Sequence, residues 1–455
     1  MTSHVRWLGA WLAGLTLMAG AATAQARQPN IIIILADDLG YADLGCQGAR
    51  DIPTPHIDRL AQQGVRCTSA YVTAPVGGPT RAALLTGRYP QRFGQEFNPP
   101  RDSKGNDGLP LTETTLARSL QAAGYATGLV GKWHLGSDPA RHPQARGFQS
   151  FFGFLGGAHS YSNEESSVLV VLPQLGRWPN GIVRGNEPVV EKAYLTDAFT
   201  REGLAFIDAH AREPFFLLLA YNAPHTPLEA SEKYLNQVIG VTGGDHRRRV
   251  YAAMIAALDA GVGAVQAKLQ ETGLAQDTLV VFLSDNGGIT GYISPSSNAP
   301  LSGAKTELLE GGIRVPMIVS WPGKLPAGTT YGPMVSVLDL APTALAAAES
   351  AAPAGRVLDG VDLAPYLTNQ RSGPPHAELY WRYGPLGAVR SGRFKLLRVR
   401  DDPPQLFDIL ADPGETRDLA PAHPEIVQRL RERWEQWNAQ LQPPAWGRPN
   451  LPPWF

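Results

Sequence analysis

The chain predicts an α/β fold, with a mostly parallel central sheet flanked by helices and a small C-terminal α+β appendage. Three observations carry this. Short, continuous apolar runs of strand length recur, and the first, Ile31–Leu35, is almost wholly β-branched, as suits a strand buried on both faces. Helical segments lie between these runs, so strand and helix alternate. Four of the runs end in ionisable or metal-ligating residues, and in open α/β sheets ligands bind beyond the carboxyl ends of the strands. One site is therefore expected.

In chain order, Ile31–Leu35 runs into Ala36, Asp37 and Asp38. Thr54 and Pro55 read as N-cap and first turn of a helix over Ile57–Gln63, closed by Gly64. A second helix is expected to open at Pro79, with Gly77 and Gly78 before it, and to stop at Gly87. Its N-terminus would aim N–H groups at an anion, although a Gly-Gly-Pro start alone is weak evidence. Glu113–Ala123 reads as a helix ending at Gly124, and Ala126–Val130 as a strand leading into Lys132 and His134. Phe215–Ala220 leads to Asn222 and His225. Val250–Glu271 is a long Ala-rich helix, and Leu279–Leu283 leads to Asp285 and Asn286. Near residue 370 the texture becomes linker-like; beyond it come strand candidates Leu379–Tyr383 and Arg393–Val399, then a helix over Pro424–Gln440. The expected organisation is a leader over 1–26, one catalytic domain over 27–370 and a small subdomain over 371–455.

The 455 residues suffice for one large α/β domain plus an appendage, and 43% hydrophobic with 18% charged residues excludes a disordered chain. A formal net charge of -1 gives no global field for nucleic acid, so any anion must be held by a local cluster. Arg6, the apolar stretch Trp7 to Gly20, and A-x-A sites at Ala24 and Ala26 read as a signal peptide; an uncleaved anchor is the alternative. No later segment is expected to cross a membrane, so the mature protein would be exported to the periplasm or secreted. Two cysteines, Cys46 and Cys67, make no disulfide scaffold and read as small buried residues.

Asp37, Asp38, Asp285 and Asn286 form an all-oxygen set. Adjacent carboxylates repel unless a cation or basic groups lie between them, and oxygen ligands favour calcium or magnesium over zinc. Singly, each reads as a helix cap or turn; together, at two strand ends, they read as a metal site. Arg81, Lys132, His134, His225 and Lys305 supply positive charge and proton-transfer capacity around it, the equipment needed to hold a tetrahedral oxyanion ester.

Six ordered segments then resemble the sulfatase family of the alkaline-phosphatase superfamily: PNIIIILADDLG at 29–40, PTRAALLTGR at 79–88, GKWHLG at 131–136, APHTP at 223–227, SDNG at 284–287 and EGGIRVP at 310–316. The resemblance implies an alkaline-phosphatase-like fold and a sulfuric ester hydrolase site for a sulfated small molecule or carbohydrate. It implies that Asp37, Asp38, Asp285 and Asn286 hold a divalent ion, usually calcium. Arg81 would support the nucleophile, Lys132 and Lys305 would grip sulfate, His225 would act as general acid, and His134 would assist the nucleophile. One position departs. The family signature Cys/Ser-x-Pro-Ser/Thr-Arg begins with the residue oxidised to formylglycine, and here it reads Gly77, Gly78, Pro79, Thr80, Arg81. Glycine has no side chain to oxidise, and neither Cys67 nor Cys46 is followed by the required Pro-x-Arg context. Three readings stay open: a hydrolase in which metal-activated water replaces the covalent nucleophile in the room left by Gly77; a non-catalytic protein that binds sulfated ligands; and recruitment of Thr80 as nucleophile. Loops Phe97–Gly108 and Ser160–Val183 are expected to shape substrate choice.

Overall fold

The computed structural model describes residue 1 and residues 28–100, 107–162, 167–171, 181–240, 243–291, 293–399 and 402–447. The expected leader over 1–26 lies outside the described residues, Met1 apart. At the centre of a ten-stranded sheet, Thr278–Ser284, Asn30–Ala36, Phe215–Ala220, Ala126–Lys132 and Ser150–Phe154 lie side by side and parallel. Ile31 to Ile34 are essentially unexposed, and their alternation divides the core. Ile31, Ile33 and Leu35 pack towards the face that carries helix Gly77–Thr86, while Ile32 and Ile34 pack towards helices Leu195–Ala209 and His246–Glu271.

Outside this centre the sheet is mixed, with one further parallel pair, Thr329–Tyr331 beside Val65–Cys67, at its edge. Met317–Ser320 runs antiparallel to both Thr278–Ser284 and Val65–Cys67, and Val183–Arg184 and Glu187–Pro188 add antiparallel strands at the other flank. A two-residue connection, Gly185 (φ 60°) and Asn186, permits a hairpin but not the crossover that a parallel pair requires.

Two local expectations change. Thr54 does not cap the helix Pro55–Gln62 with its side chain; the N–H groups of His56 and Ile57 donate to the Asp259 carboxylate at 3.0 and 2.7 Å. That cap comes from the distant helix His246–Glu271. This helix is itself long and apolar enough to cross a bilayer, contrary to expectation, but it is the core helix under the sheet, with Val250 to Leu258 all buried. Cys67 is buried, Cys46 is half-buried, and both are free thiols.

The C-terminal part is a four-stranded antiparallel sheet, Glu378–Tyr383, Leu386–Ser391, Phe394–Val399 and Gln405–Asp408, covered by helix Pro424–Asn438. Residues 369–374 leading to it are exposed. Its Leu379, Trp381 and Trp434 join the same apolar cluster as Ile31 and Leu35, and the Trp381 indole donates to the Val72 carbonyl at 2.7 Å.

Candidate active site

Backbone hydrogen bonds extend the sheet register past the strand ends. Asp37 N–H donates to the Ala223 carbonyl at 3.0 Å, and Asp285 N–H donates to that of Ala36 at 3.1 Å. These two bonds set Asp37, Asp285 and the His225 turn beside one another. The chain then leaves the sheet sharply. Asp38, His134 and Thr306 have φ of 61°, 62° and 77°, three of the six non-glycine residues with positive φ among the described residues. For β-branched Thr306 that is strained, and its N–H donates to the Pro75 carbonyl at 2.9 Å, tying the Lys305 loop to the start of helix Gly77–Thr86.

Every candidate side chain converges here. Lys132 pairs with Asp37. Lys305 Nζ lies 2.7 Å from Asp38 Oδ1 and 2.9 Å from Oδ2. Arg81 donates from Nε and Nη2 to Asp285 Oδ2 at 3.0 and 2.9 Å, and its Nη2 is 3.7 Å from Asp37 Oδ2. Asn286 Nδ2 donates to Asp38 Oδ1 at 2.6 Å, and His225 Nε2 is 3.6 Å from Asp38 Oδ2. All three carboxylates are buried.

Burial, seconded by Asp285, pushes the Asp37 carboxyl up to about 7. Burial acts the same way on Asp38, but Lys305, His225 and Lys132 together hold it below the usual carboxylate range. Burial lowers His225 to about 3 against the pull of Asp38, and burial plus Lys132 puts His134 well below an ordinary imidazole. Both histidines are therefore neutral at neutral pH. Because a carbonyl can only accept, the 2.5 Å contact from His225 Nδ1 to the Thr226 carbonyl places the ring proton on Nδ1. Nε2 then presents a lone pair towards Asp38.

The oxygen set passes a fit test for a cation. Asp37 Oδ1 and Asn286 Oδ1 are buried and accept no hydrogen bond among the described residues, which is costly unless something else satisfies them. Ligand atoms of Asp37, Asp38 and His225 lie within 4.8 Å of one another. Carboxylate and amide oxygens suit a hard ion.

The helix expected to open at Pro79 opens two residues earlier, at Gly77, so both glycines lie in its first turn. The Gly78 N–H is not open; Asn98 Oδ1 accepts from it at 2.8 Å. Nor is there room beside Gly77. A Cβ there would stand 2.5 Å from Asp285 Oδ2, 3.3 Å from Asp285 Cγ and 3.6 Å from Arg81 Nε. Gly77 has no positive φ, so the obstacle to a side chain is this carboxylate and not the backbone. Thr80 is fully buried, and its hydroxyl donates to the Ala74 carbonyl at 3.2 Å.

Some site residues carried no motif. Tyr161 is buried, and its hydroxyl donates to the carbonyls of Asn222 and His225, bracing the turn that presents His225. It lies at the start of the loop expected to shape substrate choice; residues 101–106, 163–166 and 172–180 of the two expected loops lie outside the described residues.

The family model described as Sulfatase matches residues 29–350, and one described as N-sulphoglucosamine sulphohydrolase, C-terminal, matches 304–440. The chain belongs to the sulfatase family. Arylsulfatase A of Homo sapiens is 33% identical, over 92% of this chain and 89% of its own length. N-acetylgalactosamine-6-sulfatase of Mus musculus is 36% identical, over 84% and 74%. Among solved structures, Ps i-CgsB in complex with k-i-k-neocarrahexaose superimposes with a TM-score of 0.85 at 37% identity, covering 93% of this chain and 95% of that one. The PsFucS1 sulfatase from Pseudoalteromonas sp. gives 0.78 at 26% identity, covering 91% of each chain. The alkaline-phosphatase-type sheet with its small antiparallel appendage is thus shared with sulfatases along nearly the whole described chain.

Proposed function

We propose that this sulfatase-family protein is exported and binds sulfate esters of carbohydrates at a divalent-metal site, without the family's covalent chemistry. The observation that carries this is Gly77: in the signature register it takes the nucleophile's place, and the Asp285 carboxylate lies where that side chain would begin. Thr80 does not replace it, because its hydroxyl is buried and already committed to Ala74. The export reading rests on the N-terminal pattern and on the family, and the carbohydrate reading on the neocarrahexaose with which Ps i-CgsB forms its complex.

Asp37, Asp38, Asp285 and Asn286 would hold calcium or magnesium, which would supply positive charge for a sulfate oxygen. Lys132, Lys305 and Arg81 supply charge-assisted donors for the remaining oxygens. His225, braced by Tyr161, adds an imidazole whose Nε2 lies 3.6 Å from Asp38 Oδ2.

A second reading, direct attack by water, is favoured by His134, whose Nδ1 is buried without a partner among the described residues and, with the ring neutral, is able to accept a proton. Calorimetry and turnover on purified wild type with a sulfated oligosaccharide panel separate the two. Calcium-dependent binding with no sulfate release supports the binding role; calcium-dependent release supports water attack.

A further inference from the structure

A cavity of about 360 Å³ lies where the appendage meets the main domain. Tyr89, Arg92 and Asp359 line it from the main domain, and Tyr380, Gln436 and Trp437 from the appendage. It sits at the end of helix Gly77–Thr86 remote from the candidate active site, since Tyr89 follows that end and the Asp359 N–H donates to the Gly87 carbonyl at 2.8 Å. Ten helical residues put about 15 Å between the two ends. One wall is aromatic. The Tyr380 ring lies on that of Trp437 with centroids 5.3 Å apart and planes at 11°, and Tyr89 meets Trp437 edge-on at 5.2 Å. Tyr89 and Trp437 are buried, whereas Tyr380 is half-buried. The charged groups of the lining answer one another. Arg92 reaches Asp359 Oδ1 from Nη2 at 2.6 Å and Oδ2 from Nε at 2.8 Å. Arg433 lies 3.9 Å from Glu378, which also accepts from the Tyr380 hydroxyl. Two cations face two carboxylates, so together they leave no net charge. The polar groups left over are an imidazole nitrogen and an amide. His376 is 9% exposed; its Nε2 donates to Asp339 Oδ1 at 2.7 Å, and its Nδ1 has no partner among the described residues. The Gln436 amide is exposed and has none there either.

We propose that this cavity is a second binding site, for an uncharged sugar unit of an oligosaccharide. A sugar ring presents apolar C–H faces, which pack on an aromatic ring, and hydroxyls, which both donate and accept. The ring face suits Tyr380. A hydroxyl can donate to the Nδ1 lone pair of a neutral His376, and the Gln436 amide can meet a hydroxyl in either sense. Sulfate only accepts, so it would meet a lone pair and two carboxylates with both nearby cations already paired. The volume falls within the range of about 300–1,000 Å³ usual for small-ligand sites. Because the lining comes from both the main domain and the appendage, an occupant would also bridge them. A protein that grips sulfate at one end of helix Gly77–Thr86 and a plain sugar at the other would hold a partly sulfated polysaccharide by both kinds of unit, with the gain in avidity that two linked contacts give.

The test is calorimetry on the full-length protein with three uncharged hexaoses as probes, neoagarohexaose, cellohexaose and laminarihexaose, each titrated in calcium, in excess EDTA and in excess sodium sulfate. The expected result is that at least one binds wild type with the same affinity in all three conditions. Tyr380→Ala should weaken that binding by at least about tenfold, the usual size of effect for truncating an aromatic anchor. Gln436→Ala should weaken it by about threefold through loss of one hydrogen bond. This second variant alters an exposed side chain with no partner among the described residues, so it keeps the test open if Tyr380→Ala does not fold. Failure of all three hexaoses to bind, or binding that both variants leave unchanged, would overturn the inference. Binding lost in EDTA or in sulfate would place the sugar in the active-site pocket, overturning the second site while leaving the proposed function standing. Hexaose binding as expected, with no binding of methyl sulfate in calcium, would overturn the proposed function and support the second site.

Discussion

Lys395→Met would remove the cation from a buried cluster that joins the C-terminal sheet to the loop carrying Lys305. Lys395 Nζ lies 3.1 Å from Glu310 Oε1 and 2.8 Å from Glu415 Oε1, and the three side chains at these contacts have no exposed surface. Glu310 would keep the Tyr71 hydroxyl at 2.6 Å and Arg314 at 3.4 Å. Among the described residues, Glu415 would keep only the Glu310 N–H, at 2.6 Å. Removing one partner of a buried ion pair costs about 3–5 kcal/mol, because the other charge stays buried. The loss should fall at the upper end here, since Glu310 and Glu415 would then face each other without the lysine. Urea unfolding followed by tryptophan fluorescence reports it directly, because Trp381, Trp434 and Trp437 all lie in the appendage. Adding Glu415→Gln to Lys395→Met should restore at least half of the loss, because it removes the orphaned charge. The appendage also ties down the Lys305 loop, since the Ser302 hydroxyl donates to the Gly414 carbonyl at 2.5 Å, three residues before Lys305. A loss under about 1 kcal/mol, with no recovery from the second substitution, would refute this reasoning.

Asp285→Ala should abolish measurable calcium binding, whereas Asp259→Asn, which sits at a helix cap away from the site, should leave it intact; calorimetry on both decides. Stability should fall as pH drops below the ordinary histidine range, partly through His142. Burial lowers its pKa, Nε2 donates to the Gly185 carbonyl, and Nδ1 accepts from the Gln144 N–H, so protonation of Nδ1 breaks that cap. A folded pKa below the unfolded one means that the unfolded chain binds more protons, so stability rises with pH there. The slope is at most about 1.4 kcal/mol per pH unit for one group. His142→Gln should flatten it in melting curves taken between pH 5 and 7.

The parallel centre of the sheet was legible because strands buried on both faces leave unbroken apolar runs, as in Ile31–Leu35 and Phe215–Ala220. The convergence of Asp37, Lys132, His225 and Asp285 followed from their positions just after those runs. What local sequence could not give were contacts between distant segments. Asp259 capping the helix at Pro55, Asn98 holding Gly78 and Tyr161 bracing the His225 turn each depend on a partner 20 or more residues away. The start of the helix at Gly77 was missed for this reason: glycine and valine carry no capping signal, and the stabilising acceptor comes from Asn98. The room expected beside Gly77 was likewise taken by a residue 208 positions later, Asp285.

Gly77→Cys, coexpressed with the formylglycine-generating enzyme and assayed beside wild type in calcium on 4-nitrocatechol sulfate and sulfated oligosaccharides, tests the central claim most directly. The new Cβ comes within 3 Å only of Asp285 Oδ2, the far end of a flexible side chain, so a shift of that carboxylate can accommodate the residue. Mass spectrometry should find the aldehyde at position 77 in the variant, together with sulfate release far above that of wild type, because grip, metal ligands and imidazoles are already in place. Wild type should bind without turnover. Efficient sulfate release by wild type, lost on calcium removal, would contradict the claim that this site lacks the means to cleave what it holds.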